Sequence, residues 1–203
     1  MTSITTLFLD IGGVLLTNGW DHKIRQQTAA HFGIDFEEMS SRHHITYDTY
    51  ESGKSTWEEY LEKIIFYEAR SFSIDEVKQY ILEGAQPLQD TIDLICKLRS
   101  VYQLKVAVVS NEGRDLAVDR IERFGLRKFV DFFIVSAFVH FRKPDLDIYR
   151  LALDVAQVKP GEVAYVEDRP LLVEVASKLG IRGVIHRNEA ETRQGLAKLG
   201  LTL

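Results

Sequence analysis

Four short stretches of this chain carry residues able to do chemistry together. LFLDIGGVLL places Asp10 directly after an apolar run and follows it with Gly12 and Gly13, which let the backbone turn sharply and approach a ligand. VAVVSNEG offers the Ser110 hydroxyl, the Asn111 amide and backbone N–H groups just before a helical pattern, where an anion is favoured. FRKPDLDIY sets Lys143 beside Pro144, a residue suited to a helix start that fixes the chain just after the lysine. VAYVEDRP ends an apolar run on two adjacent carboxylates, Glu167 and Asp168. Each stretch also has a plain structural use as a turn, a helix cap, a surface lysine or a strand end. Two like charges at a buried sheet edge repel, however, and a hard divalent cation with oxygen ligands, Mg²⁺ above all, relieves that repulsion.

The elements that must hold these residues follow from the apolar pattern. Runs rich in Val, Ile and Phe at Ile4–Leu9, Lys105–Ser110, Val130–Ser136, Val163–Glu167 and Arg182–Ile185 read as buried parallel strands. Helical patterns at Arg114–Phe124, Leu146–Ala156, Leu171–Leu179 and Glu189–Leu199 alternate with the later strands, with Gly125, Gly180 and Gly200 in stop positions. This alternation predicts an α/β fold, a doubly wound parallel sheet, whose ligands bind beyond the carboxyl ends of the strands. All four stretches lie at such ends or just before the helices that follow them.

About 90 residues separate the first strand from the second, far more than a crossover needs. From Trp20 to Gly84 the pattern is helical, with S-x-x-E capping boxes at Ser55–Glu58 and Ser73–Glu76, and a helix over about Gln89–Ser100 returns to the core. We expect a core domain of residues 1–18 and 86–203 carrying a small helical cap at 19–85. Trp20, Tyr47, Tyr50 and Trp57 are candidates to line a pocket beneath it, although aromatics at helical spacing more often form core.

The order and spacing of the four stretches resemble the haloacid-dehalogenase-like hydrolases over nearly the whole chain. LFLDIGGVLL looks like the first motif of that superfamily, VVSN its second, the lysine of RKPDLDIY its third and VEDRPLLVEVASKLGI its fourth. The helical insertion looks like the cap of its phosphatase branch, which includes sugar-1-phosphate phosphatases and the N-terminal phosphatase domain of soluble epoxide hydrolase. The resemblance implies a Rossmann-like core and hydrolysis of a small phosphate monoester, a sugar phosphate among the candidates, through an aspartyl-phosphate. By position it makes Asp10 the nucleophile and Lys143 a catalytic and phosphate-binding cation, with Ser110 and Asn111 gripping phosphate oxygens. Mg²⁺ would be held by Asp10, Asp168 and the Gly12 carbonyl, and by Glu167 through water. A carboxylate at about 4 Å from a phosphate dianion meets repulsion of roughly 8 kcal/mol at an effective dielectric of about 20, which Mg²⁺ and Lys143 can neutralise.

The chain departs from the motif at Gly12, where phosphatases of this superfamily carry a second aspartate as proton donor. The run Arg42, His43, His44 in the insertion could supply a substitute or be a solvated segment. A 2-haloacid dehalogenase, which needs no metal, and a non-catalytic binding module are the rival readings. The Glu167–Asp168 pair favours the metal-dependent one.

Composition narrows the field. With 203 residues and 45% apolar content the chain can bury a real core, and a single cysteine, Cys96, excludes an internal disulfide. The opening MTSITTLFLD lacks the features of a signal peptide and no stretch is long and apolar enough to span a membrane, so a cytoplasmic protein is expected. A net charge of −5 with scattered basic residues argues against nucleic-acid partners and leaves a small phosphorylated molecule as the expected one.

Overall fold

The computed structural model describes residues 3–203. In chain order it runs β1 (Thr6–Leu9), α1 (His22–Phe32), α2 (Phe36–Glu51), α3 (Trp57–Ile64), α4 (Ile74–Glu83), α5 (Gln89–Tyr102), β2 (Lys105–Ser110), α6 (Arg114–Arg123), β3 (Phe132–Val135), α7 (Ser136–Val139), α8 (Leu146–Ala156), β4 (Val163–Glu167), α9 (Pro170–Ser177), β5 (Arg182–Ile185) and α10 (Glu189–Lys198). The strands form one fully parallel sheet in the order β3-β2-β1-β4-β5. The expected doubly wound α/β core is therefore present. The chain builds outward from β1 in one direction through β2 and β3, then returns to β1's other edge with β4. That reversal leaves a crevice at the carboxyl ends of β1 and β4, the place where such sheets bind ligands.

Side-chain alternation divides the core into two layers. Leu7, Leu9, Val106, Val108, Ala164 and Val166 face α5, α6 and α10 in one cluster. Phe8, Ala107, Val109, Val163 and Tyr165 face α8 and α9 in another. Because both faces are covered, these strands read as continuous apolar runs rather than alternating ones.

The helices between β1 and β2 have their own cluster, built from Ala29, Met39, Tyr50, Trp57, Tyr60, Leu61, Ile64, Val77 and Ile81, with Leu116 of α6 seated against it. The two strands of chain that leave and re-enter the sheet run side by side, with the Thr17 N–H donating to the Gln86 carbonyl at 2.8 Å and the Leu88 N–H to the Leu15 carbonyl at 2.9 Å. Arg142, just before Lys143, pairs with Asp48 at 2.6 Å and Glu51 at 2.5 Å on α2, fastening the helices over the strand tips.

Several details differ from the sequence expectations. The third strand is shorter, because Ser136 begins α7 and Asp131 instead turns its carboxylate to accept from the Val106 N–H at 2.8 Å. The first capping box lies one residue on, at Thr56 and Glu59, since Trp57 must be the first helical residue for Trp57, Tyr60, Leu61 and Ile64 to share one buried face. The box at Ser73 and Glu76 forms as expected. Pro144 does not begin α8. It follows a cis peptide bond, and Asp145 caps a helix that starts at Leu146. Trp57 is core in the helical cluster and lines no pocket with the site residues.

Candidate active site

Asp10 leaves the tip of β1 with its N–H on the Val166 carbonyl at 3.1 Å, so the β1–β4 ladder fixes its backbone. Its Oδ1 accepts from the Ile11 N–H at 2.9 Å. Lys143 reaches the same oxygen with Nζ at 3.1 Å and also donates to Glu167 Oε2 at 2.7 Å and to the Tyr165 hydroxyl at 3.2 Å. Tyr165 completes the triangle by donating to Glu167 Oε2 at 2.5 Å. All of these groups are buried, Glu167 completely. Burial pushes the Asp10 carboxyl above its usual range, the Lys143 charge and the Ser110 hydroxyl pull it back, and Glu167 adds to the rise. Burial alone would lower Lys143, but Asp10 and Glu167 outweigh it and hold the ammonium firmly protonated.

Asp10, Glu167 and Asp168 present carboxylate oxygens within 4.8 Å of one another. Asp168 lies against Gly13, where an added Cβ would fall 2.3 Å from its Oδ2 and where φ is +74°, so only glycine fits both the turn and the carboxylate. Asp168 Oδ1 is buried with no hydrogen-bond partner among the described residues. Oxygen donors only, three acidic groups against one lysine and an orphaned carboxylate oxygen fit a hard divalent cation. Glu167 has both oxygens occupied, Oε1 by the Arg169 N–H at 3.1 Å, which suits contact with a cation through water rather than directly.

Ser110, Asn111 and Lys143 border one cavity with Asp10 and Gly12, so the sequence-derived residues from β1, β2 and the loop before α8 do converge. Asn111 has a role the sequence did not reveal. Its amide donates to the Lys143 carbonyl and accepts from the Lys143 N–H, both at 2.8 Å, clamping the lysine's backbone to the end of β2. That leaves one amide proton and one lone pair for a ligand.

From the insertion, Trp20 before α1, His43, Tyr47 and Tyr50 on α2 and Tyr60 on α3 line the same cavity. Tyr60 accepts from Trp20 Nε1 at 2.8 Å and shares a second hydrogen bond with His43 Nδ1 at 2.5 Å. Burial, with Arg25 and His44 nearby, lowers His43 to about 3. It is therefore a neutral imidazole at neutral pH. His44 is exposed and outside the cavity.

Sequence reasoning missed Tyr165, which bonds to Lys143 and Glu167, and Glu112, Arg120 and Arg169, which line the cavity. Tyr165 and Arg120 look like ordinary strand and helix residues in sequence. Glu112 alone offered a signal, as a carboxylate immediately after the Ser-Asn pair.

A doubly wound α/β fold with a buried carboxylate, a lysine and an acidic cluster at its switch point defines a class of hydrolase-like proteins. This chain belongs to the haloacid dehalogenase-like hydrolase family, whose sequence pattern it matches over residues 10–185. Phosphorylated carbohydrates phosphatase of Thermotoga maritima is 33% identical over 87 residues, 41% of this chain and 40% of that protein. The chain thus spans less than half the length of that relative. Flavin mononucleotide hydrolase 1 of Arabidopsis thaliana is 22% identical over 88% of this chain and 72% of its own. A haloacid dehalogenase family enzyme from Bacteroides thetaiotaomicron, solved with magnesium and inorganic phosphate, superposes with a TM-score of 0.78 at 19% identity over 91% of this chain and 95% of that one. No helix among the described residues is long and apolar enough to cross a membrane.

Proposed function

We propose that this chain is a magnesium-dependent phosphatase that hydrolyses a small phosphate monoester, a sugar phosphate among the candidates, through an aspartyl-phosphate on Asp10. The observation that carries the reading is the convergence of Asp10, Lys143 and the Glu167–Asp168 pair at one buried strand-tip crevice. A nucleophile for phosphorus, a cation for its anionic oxygens and a set of oxygen ligands for a metal are the parts that phosphoryl transfer needs. The magnesium and phosphate in the Bacteroides structure and the name of the Thermotoga relative point the same way. Displacement of halide from carbon needs no cation and would leave the Asp168 carboxyl without a use.

Asp10 is the nucleophile in this reading, oriented by the Ile11 N–H and paired with the Lys143 ammonium. Lys143, fixed through Asn111, and the Ser110 hydroxyl face the transferring phosphoryl group. Asp10, Asp168 and the Gly12 carbonyl would hold Mg²⁺ directly, with Glu167 joined through water. The bound ion would supply charge neutralisation between the carboxylate and the phosphate dianion. Side chains of α2 and α3 and of the turn before α1 line the cavity above these groups. The test is a phosphate-release screen over small phosphorylated metabolites with and without Mg²⁺. Release that depends on Mg²⁺ and stops with chelator is expected. Undiminished turnover in excess chelator would remove the metal assignment.

A further inference from the structure

Gly12 leaves the site without a proton donor for a poor leaving group, yet the space around it is not empty. A Cβ at position 12 would meet Asn18 Oδ1 at 2.9 Å and Arg120 Nη1 at 3.9 Å. Arg120 is buried, with Nη2 donating to the Thr17 carbonyl at 2.5 Å and Nη1 donating to Glu112 Oε1. Glu112 follows the Ser110-Asn111 pair at the tip of β2 and borders the same cavity as Asp10 and Gly12. Its N–H donates to Ser136 Oγ at 3.0 Å, which anchors its backbone to the start of α7. Only Oε1 is paired. Oε2 is buried and has no partner among the described residues. A buried carboxylate oxygen is tolerated in that condition when it carries its own proton or meets one from a ligand.

We propose that Glu112 is the general acid and base of this site, supplying from β2 the proton transfer that position 12 cannot, with Arg120 as the residue that positions it. The inference rests on the phosphatase reading above. In the first half-reaction an Asp10 oxygen forms its bond to phosphorus as the ester P–O bond breaks, and the Glu112 carboxyl proton passes to the departing alkoxide. In the second, a water oxygen bonds to phosphorus as the Asp10–phosphorus bond breaks, and the Glu112 carboxylate takes a proton from that water. Alcohol and phosphate leave, and both residues return to their starting states.

The surroundings of Glu112 suit both directions of transfer. Burial raises its carboxyl to about 7, Arg120 and Lys143 pull it down, and Asp10 and Glu51 push it up. Tyr50, whose hydroxyl is also buried and unpartnered among the described residues, lies on the same wall. A group poised near the working pH can give a proton in one step and take it in the next. Glu51, a half-buried carboxyl that also lines the cavity, sits on α2 and is committed to Arg142 at 2.5 Å.

The experiment is a series of kcat/KM values for phosphate esters of rising leaving-group pKa, measured with Mg²⁺ for wild type, Glu112→Gln and Glu51→Gln. Wild type and Glu51→Gln should show a shallow dependence. Glu112→Gln should lose roughly 10²–10⁴-fold on alkyl esters and far less on p-nitrophenyl phosphate, whose leaving group needs no proton. An equal loss on every ester would mean a structural role and overturn the proposal, as would an unimpaired alkyl rate or a steep series in Glu51→Gln. Should Glu112→Gln fail to fold because Arg120 is stranded, the double variant Glu112→Gln/Arg120→Met removes the unpaired cation and is held to the same slopes. A wild type that hydrolyses no phosphate ester would sink the phosphatase reading and this proposal together, whereas an alkyl-competent Glu112→Gln would sink this proposal alone.

Discussion

Replacing Lys143 with Met keeps most of the length of the side chain and removes its charge from between two buried carboxylates. At an effective dielectric of about 20, the ammonium attracts a carboxylate oxygen 3.1 Å away by about 5 kcal/mol and one 2.7 Å away by about 6 kcal/mol. Desolvation of the three groups cancels much of this, and breaking a buried pair by deleting one partner typically costs roughly 3–5 kcal/mol. For a chain of this size that corresponds to a fall in Tm of roughly 6–20 °C. Lys143 has a raised folded-state pKa, so its contribution is fully present below the ordinary lysine value and is lost only as pH rises through the folded one. A measurement at pH 7 lies inside the window. Urea denaturation of wild type and Lys143→Met in chelator should show the deficit, and added Mg²⁺ should narrow it, because a divalent cation would relieve the same repulsion between Asp10 and Glu167. The deficit should also shrink on acidification, as protonation of the stranded carboxylates removes their charge. A variant as stable as wild type in chelator, or one that Mg²⁺ does not help, would refute the electrostatic reasoning.

Three further outcomes are expected. Tyr165→Phe removes a buried donor to Glu167 and should destabilise the protein by roughly 1.5–3 kcal/mol in denaturant titrations while leaving the sheet intact by circular dichroism. Gly13→Ala puts a methyl group on Asp168 at a positive φ, so calorimetric Mg²⁺ affinity should fall sharply even if the variant folds. Glu112, raised by burial to about 7 from an unfolded value of 4.5, contributes stability that is present below 4.5 and is lost as pH rises through 7. Relative to Glu112→Gln, wild type should therefore lose about 3 kcal/mol between pH 4.5 and 8, read from paired denaturation curves. Parallel pH profiles would mean that Glu112 is ionised throughout.

The sheet and its loaded end were legible because their physics is local. Apolar runs covered on both faces look the same in sequence as in space, and each strand tip announces itself by the first polar residue after the run. Asp10, Ser110 and Glu167 were visible for that reason. What the sequence hid was pairing across long separations. Nothing near Tyr165 indicates that its hydroxyl meets Lys143, 22 residues away, and nothing near Asn111 indicates that its amide clasps the backbone of Lys143, 32 residues away. The shift of the first capping box from Ser55 to Thr56 has a similar origin, because the buried face of α3 selects among adjacent candidate caps. His43, whose residue type suits proton transfer but whose run also reads as a solvated segment, is half-buried and tied to Tyr60, and burial keeps its ring neutral. Glu112 shows the opposite case, an unremarked carboxylate that burial turns into a titrating group.

The central claim, that Asp10 attacks phosphorus, is tested most directly by chemical trapping during turnover. Wild-type enzyme is mixed with a phosphate ester and Mg²⁺, quenched in acid and reduced with borohydride, which converts an aspartyl-phosphate to homoserine. Peptide mass spectrometry should then find homoserine at position 10, only when the ester is present, and not in Asp10→Asn. Homoserine at another carboxylate, or an unmodified Asp10 in an enzyme that is releasing phosphate, would contradict the account.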